Sequence, residues 1–224
     1  MENFYARKDI KKYLTTSDNP NVALHGLEKI PFRMIVCSPS GSGKTNFIMN
    51  LLHKFSSGKG TFNTITVITR DKSEPLYEYL EDKTKKQVKI FEGIDNIPPL
   101  SSFNKDDQHL VIFDDLVLDK NQTKISEFYI RGRKKGISMC YLSQSFYKIP
   151  KVIRTNCNYF VILKLSGKRD LNLILSEFEL GVTKDDLIRM YEYATKDKFN
   201  MLLIDVEAPK EFRFRKNFLD FLDT

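Results

Sequence analysis

Apolar runs of four to seven residues alternate along this chain with longer stretches in which apolar positions recur every three or four residues. Phe32–Cys37, Thr64–Thr69, Val88–Phe91, His109–Leu116, Ile137–Ser143 and Tyr159–Leu163 have the length and β-branched or aromatic content of buried strands. Between them, helices are predicted from about Lys44 to the Ser56-Ser57-Gly58 stop, near Pro75–Glu81, and over Lys120–Lys135. Two more follow over Gly167–Glu179 and Thr183–Tyr193, the second opened by a Thr183 cap with Asp185 and Asp186 in its first turn. Met201–Val206 and Phe212–Phe214 are predicted to form an antiparallel pair at the sheet edge. Strands alternating with helices predict an α/β fold, a mainly parallel central sheet covered on both faces. The organisation expected is a polar, turn-rich N-terminal arm over 1–31, with Tyr13, Leu24 and Leu27 as its apolar positions, followed by one domain over 32–224. The arm is expected to pack on that domain or on a neighbouring subunit.

The first strand runs into SPSGSGKT, residues 38–45. Strand, glycine-rich loop and helix are what a phosphate-binding loop requires, because freed backbone N–H groups point at an anion held at the positive end of the helix. Ser40, Gly41, Ser42, Gly43, Lys44, Thr45 and Asn46 are therefore the predicted nucleotide contacts, with Lys44 on the outer phosphates and the Thr45 hydroxyl on Mg²⁺. The match to G-x-x-x-x-G-K-[ST] departs at its first position, where Ser38 replaces glycine. A polar loop between a core strand and a core helix is the plainer alternative.

A second apolar strand ends in two carboxylates, Asp114 and Asp115. The first can bind water in a Mg²⁺ shell, and the second can orient or deprotonate the water that attacks a γ-phosphate. Acids at a strand end also cap helices, which is the competing reading. Ile137–Ser143 ends at Gln144, whose amide can bond both the attacking water and a phosphate oxygen, or serve as an ordinary turn residue. Asn104-Lys105-Asp106-Asp107 fits the guanine-reading string N-K-x-D but precedes the acidic strand, so it is read as a turn.

Composition changes the picture in three ways. With 224 residues, 41% of them hydrophobic, the chain can bury a core without metals or disulfides. Cys37, Cys140 and Cys157 fall in or beside apolar runs without C-x-x-C pairing, as core residues of a reducing compartment would. No apolar stretch reaches membrane-span length and the N-terminus has no apolar signal core, so neither membrane insertion nor secretion is expected. The three histidines are scattered and receive no chemistry. Finally, residues 131–170 hold ten Lys or Arg against one acid, a net of +9 in a chain of +7, which predicts a basic face for a polyanion or a solvated surface.

SPSGSGKT, LVIFDD at 110–115, RGRKKG at 131–136 and YLSQSFYKIPKVIRTN at 141–156 stand in one order. Together they resemble the FtsK/HerA superfamily of ring ATPases, in particular its viral genome-packaging branch in poxviruses, other large DNA viruses and virophages. The resemblance covers roughly residues 25–165. It implies a P-loop NTPase fold of the ASCE, RecA/FtsK-like type and a homo-oligomeric ring. Such a ring hydrolyses ATP with Mg²⁺ at subunit interfaces and drives double-stranded DNA through phosphate contacts into a preformed capsid, against capsid vertex proteins. The setting implied is a viral factory in host cytoplasm, or the virion.

Family roles fall on Lys44 and Thr45, on Asp114 for the metal, on Asp115 for the water and on Gln144 as sensor. An arginine finger reaching the neighbouring nucleotide is expected just before the sensor strand, with Arg133 first, Arg131 second and Arg154 a further candidate. The second acid of the superfamily is usually glutamate, and Asp115 is one methylene shorter. A cellular-type DNA translocase or helicase and a small P-loop nucleoside or nucleotide kinase are the rival readings.

Overall fold

In the computed structural model, residues 3, 6–11, 17–84 and 87–223 are described; Tyr13 of the expected arm lies outside them. The strands are β1 (Arg33–Cys37), β2 (Thr64–Thr69), β3 (Val88–Glu92), β4 (His109–Asp114), β5 (Ile137–Ser143), β6 (Tyr159–Ile162), β7 (Leu202–Asp205), β8 (Phe214–Lys216) and β9 (Asp220–Phe221). The helices are α1 (Lys8–Lys11), α2 (Val22–His25), α3 (Lys44–Phe55), α4 (Pro75–Thr84), α5 (Thr123–Arg131), α6 (Lys151–Arg154), α7 (Arg169–Glu177), α8 (Lys184–Ala194) and α9 (Lys210–Arg213). The nine strands form one sheet in the order β3-β2-β4-β5-β1-β6-β7-β8-β9. The first six in that order pair in parallel and the last three antiparallel.

Central parallel strands are buried on both faces, which is why they read as unbroken apolar runs. Alternate residues go to opposite layers: Ile35 and Cys37 of β1 join the core under α5, α7 and α8, while Met34 and Val36 join the core under α3 and α4. Leu110 and Ile112 of β4 separate from Val111 and Phe113 in the same way. The Thr183 hydroxyl caps α8 by accepting from the Asp186 amide at 3.2 Å.

Three segments differ from the sequence expectation. The predicted helix over Lys120–Lys135 is α5 followed by a tight 3-10 turn at Gly132–Lys135. That turn closes at Gly136, whose φ of +66° and approach to the Asp107 carbonyl leave no room for a Cβ. At the C-terminus, Phe212 lies in α9 and the predicted strand over Phe212–Phe214 is displaced to β8, because the chain after Pro209 makes a helical turn held by Arg213 on the Ala208 carbonyl. The basic stretch 131–170 is not one face. Residues 131–135 precede β5 at the N-terminal edge of the sheet, whereas Lys164, Lys168 and Arg169 follow β6 at the C-terminal edge. Consecutive ends of parallel strands lie on opposite edges, so charge that is contiguous in sequence is divided in space.

Residues 17–31 pack on the sheet and α3. Leu27 is fully buried, Asn21 donates to the Phe55 and Ser57 carbonyls at 2.9 and 3.0 Å, and Arg215 donates to the Gly26 carbonyl. Cys37, Cys140 and Cys157 are buried free thiols. Asn104–Asp107 is a turn at the N-terminal edge of β4, closed by the Asp107 amide on the Asn104 carbonyl.

Candidate nucleotide site

Register brings the candidate residues together. Cys37 of β1 lies opposite Ser143 of β5, and Leu142 of β5 lies opposite Asp114 of β4. The phosphate loop, the acid pair and Gln144 therefore all leave the sheet at one edge, the carboxyl ends of three adjacent parallel strands. Two further backbone bonds hold them level: Ser38 N–H donates to the Ser143 carbonyl at 3.0 Å, and Asp115 N–H to the Leu142 carbonyl at 3.2 Å.

The loop needs its glycines for conformation. Gly41 and Gly43 have φ of +71° and +101°, and Gly43 is the residue from which α3 starts. Lys44 folds into the loop, donating to the Ser38 and Pro39 carbonyls at 2.9 and 3.2 Å. Burial lowers its pKa, and the carboxylates of Asp114 and Asp115 only partly oppose that. Ser40, Gly41, Gly43, Lys44, Thr45 and Asn46 border a cleft of about 350 Å³ that Asp114, Asp115 and Gln144 complete. Ser42 does not line it; its amide donates to the Pro39 carbonyl and closes the turn.

Asp114 is buried and Asp115 half-buried. Desolvation raises the Asp114 pKa, opposed by a hydrogen bond from the Tyr77 hydroxyl (2.8 Å to Oδ2) and by the charge of Lys44. Asp115 adopts φ of +55°, a left-handed conformation that non-glycine residues rarely take and that collects at functional sites. Gln144 Nε2 lies 3.2 Å from Asp115 Oδ1 and 3.4 Å from Oδ2.

The described residues hold no cluster of three or more His, Cys, Asp or Glu able to cage a metal. One hydroxyl (Thr45) and one buried carboxylate (Asp114) on the same cleft nevertheless fit Mg²⁺, which keeps several waters and takes the rest of its shell from substrate phosphates.

Arg131 and Arg133 are not brought to this cleft. Both precede β5 while Gln144 follows it, so the length of a seven-residue strand, roughly 20 Å, separates them. Both are exposed, and Arg131 pairs with Glu127 one helical turn back at 2.7 Å. Arg154 is different again, buried in an ion pair with Glu177 and donating to the Tyr147 and Ile149 carbonyls. Its guanidinium is committed, which removes it as a finger.

Three residues at this edge escaped the sequence reading. Tyr77 on α4 is fully buried against Asp114, Glu74 lines the cleft, and Arg70 lines an adjoining depression beside Asp114 and Asp115. The available signal was topological: β2 is parallel to β4, so residues just after it must reach the same edge. Nothing in the spacing of Tyr77 points to a carboxylate 37 residues away.

The sequence profile described as "Poxvirus A32 protein" matches residues 21–207. The chain belongs to that family. A32-family membership accords with the curated relatives, among them the DNA packaging protein OPG160 of Monkeypox virus, 28% identical over 197 residues that span 81% of this chain and 64% of that protein. The chain thus covers a little under two thirds of that relative's length. In fold, the A32-family chain is similar to B204, the DNA-packaging ATPase from Sulfolobus turreted icosahedral virus, with a TM-score of 0.61 at 14% identity, over 89% of this chain and 98% of that one. It is likewise similar to the genome packaging NTPase B204 from Sulfolobus turreted icosahedral virus 2 in complex with ATP-gammaS, with a TM-score of 0.60 at 13% identity over 85% and 98%. These likenesses are of fold, a P-loop NTPase fold that here has a mostly parallel sheet and an antiparallel C-terminal edge.

Proposed function

We propose that this chain is an ATP-driven double-stranded DNA translocase that packages a viral genome into a preformed capsid, acting as a homo-oligomeric ring. The observation that carries the reading is the convergence of phosphate loop, Asp114, Asp115 and Gln144 on one cleft whose described lining includes no arginine, Arg70 lining the depression beside it. Family membership and relatives named for DNA packaging support it.

In this reading the loop amides and Lys44 bind the triphosphate. Thr45 and Asp114 would hold Mg²⁺, which would supply charge neutralisation at the phosphates. Asp115 accepts a proton from the attacking water as its oxygen bonds the γ-phosphorus and the bond to the β-phosphate oxygen breaks, leaving ADP and phosphate. Gln144 exchanges its bond to Asp115 for the water or a γ-phosphate oxygen. Transition-state charge still needs a cation, and an arginine supplied in trans is worth about 10³–10⁵ in rate. Exposed Arg133 or Arg131, at the far edge of the sheet, meets that need only from a neighbouring subunit. Arg70, beside Asp115, is the alternative within one subunit.

DNA is held through its phosphates without sequence reading, so affinity falls steeply with salt. Capsid vertex proteins are the assembly partners, and a viral factory or the virion is the setting. Among the described residues, no helix is long and apolar enough to cross a membrane.

The test is ATP turnover with and without long duplex DNA, measured alongside oligomer mass. Turnover that rises with DNA and tracks ring formation supports the motor; full turnover by a monomer without DNA overturns it. Arg133→Ala should lose turnover and regain part of it when mixed with Lys44→Ala subunits. An Arg70→Ala loss that mixing does not restore would instead place the cation within one subunit.

A further inference from the structure

Three non-glycine residues in the described chain adopt left-handed backbone conformations: Asp115, Phe199 and Asn217. The first belongs to the phosphate cleft. The other two line a second cleft of about 350 Å³ beside α3. A bulky aromatic at φ of +70° is a true outlier, held only where surrounding structure demands it.

Here that conformation carries the Phe199 ring onto the phosphate loop itself. A Cβ built on Gly43 would lie 2.6 Å from the ring, so the aromatic occupies the space that a glycine leaves at the start of α3. Phe199 as a whole is nonetheless half exposed, at 51%. An exposed phenylalanine on a strained backbone, pressed on the one loop that grips phosphate, is not explained by core packing.

The second cleft is built for a flat, partly polar ligand. Phe47 and Phe218 line it as a stacked pair with ring centroids 5.8 Å apart, and Lys54 Nζ lies 5.0 Å from the Phe218 centroid. Its rim carries side-chain amides from Asn46, Asn50 and Asn217. Asn217 is fixed by accepting from the Met201 amide and donating to Asn200 Oδ1. Asn50 donates to the Asn46 carbonyl at 2.9 Å, leaving its Oδ1 as an acceptor. Lys198 Nζ stands 4.9 Å from the Phe199 centroid.

Asn46 lines both clefts, which adjoin at the first turn of α3. A triphosphate held along the loop with its α-phosphate at that turn would bring its sugar and base within reach of the second cleft. Aromatic faces and amides are the usual recognition chemistry for a base.

We propose that Phe199 and the amide-rimmed cleft beside α3 form the nucleobase subsite, in which the base of the bound nucleoside triphosphate stacks on the Phe199 ring. The assignment rests on the nucleotide-binding reading of the phosphate loop, and the experiment separates the two.

The chain contains no tryptophan, so Phe199→Trp places a single indole emitter at the site. Titration with MgATP should quench its emission saturably. Ribose 5-triphosphate with Mg²⁺, which has sugar and phosphates and no base, should bind without the quench. Phe199→Ala should weaken ATP roughly 10-fold or more, the loss of one aromatic–base stack, while ribose 5-triphosphate affinity changes less than about twofold; Phe199→Tyr, which keeps the stacking face, should restore ATP affinity.

Emission unchanged at ATP concentrations that equilibrium dialysis shows to be saturating would overturn the assignment. So would an equal loss of both ligands in Phe199→Ala, which would mean that the ring merely props the loop. Lys44→Ala tests the underlying reading separately: it should weaken both ligands, and unchanged affinity for ribose 5-triphosphate would remove the phosphate loop from the site.

Discussion

Gln144 reaches across the ends of β5 and β4 to place its Nε2 between the two carboxylate oxygens of Asp115, at 3.2 and 3.4 Å. The group cast as phosphate sensor thus touches the group cast as water-activating acid, and a γ-phosphate oxygen that takes Gln144 releases Asp115. Removing either partner should uncouple binding from chemistry. In Asp115→Asn, ATP binding should persist while turnover falls by about 10²–10⁴-fold, the usual range for loss of a positioned base. Gln144→Ala should do likewise, and because the two act as a unit the double variant should be little slower than either single one. Steady-state turnover beside equilibrium ATP binding checks this; multiplicative losses would show that the contact carries no function.

Asp114 lines the cleft and is held there at a cost to stability. Burial raises its folded pKa above the ordinary value of 3.8, so its favourable contribution exists only while it is protonated and is lost as pH rises through the folded value. Asp114→Asn keeps an acceptor for the Tyr77 hydroxyl and removes the charge. Without nucleotide, the variant should match wild type below the unfolded carboxylate range and be the more stable protein near neutrality. Urea midpoints across pH decide it, and a variant less stable at neutral pH would contradict the burial argument.

His25 titrates in the opposite sense. It is fully buried against Phe55 and accepts from the Leu27 amide at 3.0 Å; burial, with the charge of Lys54 adding, pushes its pKa down to about 4. The unfolded chain therefore takes up a proton first as pH falls from 6.5, and stability drops between there and about 4. The loss should approach roughly 3 kcal/mol, at 1.36 kcal/mol per pKa unit. His25→Asn retains an acceptor for Leu27 and should flatten the stability profile in that window.

Gly43 is constrained twice, by φ of +101° and by the Phe199 ring. Gly43→Ala should destabilise by about 1–3 kcal/mol, the range for a strained non-glycine backbone, and weaken nucleotide binding. Adding Phe199→Ala relieves the steric half alone, so stability should recover in part and never fully. Thermal denaturation of the three variants separates the contributions.

The two kinds of arginine should behave in opposite ways. Arg154→Ala leaves the largely buried Glu177 carboxylate unpaired and should cost about 3 kcal/mol, the lower end for breaking a buried ion pair. Arg133→Ala, exposed before β5, should leave stability within about 0.5 kcal/mol while turnover falls. A stability loss in Arg133→Ala would mark it as structural.

The local sequence determined the strands, the loop and the acid pair. Thr64–Thr69 and Ile137–Ser143 are legible because strands buried on both faces are apolar almost throughout, Val88–Glu92 because its apolar positions alternate as an edge strand's do, and the phosphate loop because its glycines and Lys44-Thr45 follow from backbone conformation and charge. Tertiary structure alone decided what crosses between strands. Tyr77 beneath Asp114, Phe199 on Gly43 and Arg154 locked to Glu177 are contacts between residues 23 or more positions apart. The same is true of the charge in 131–170, which adjacency in sequence groups and the alternation of strand ends divides between the two edges of the sheet. Periodicity records which face a residue turns to, while its partner on that face depends on strand order, and no residue's own chemistry encodes that.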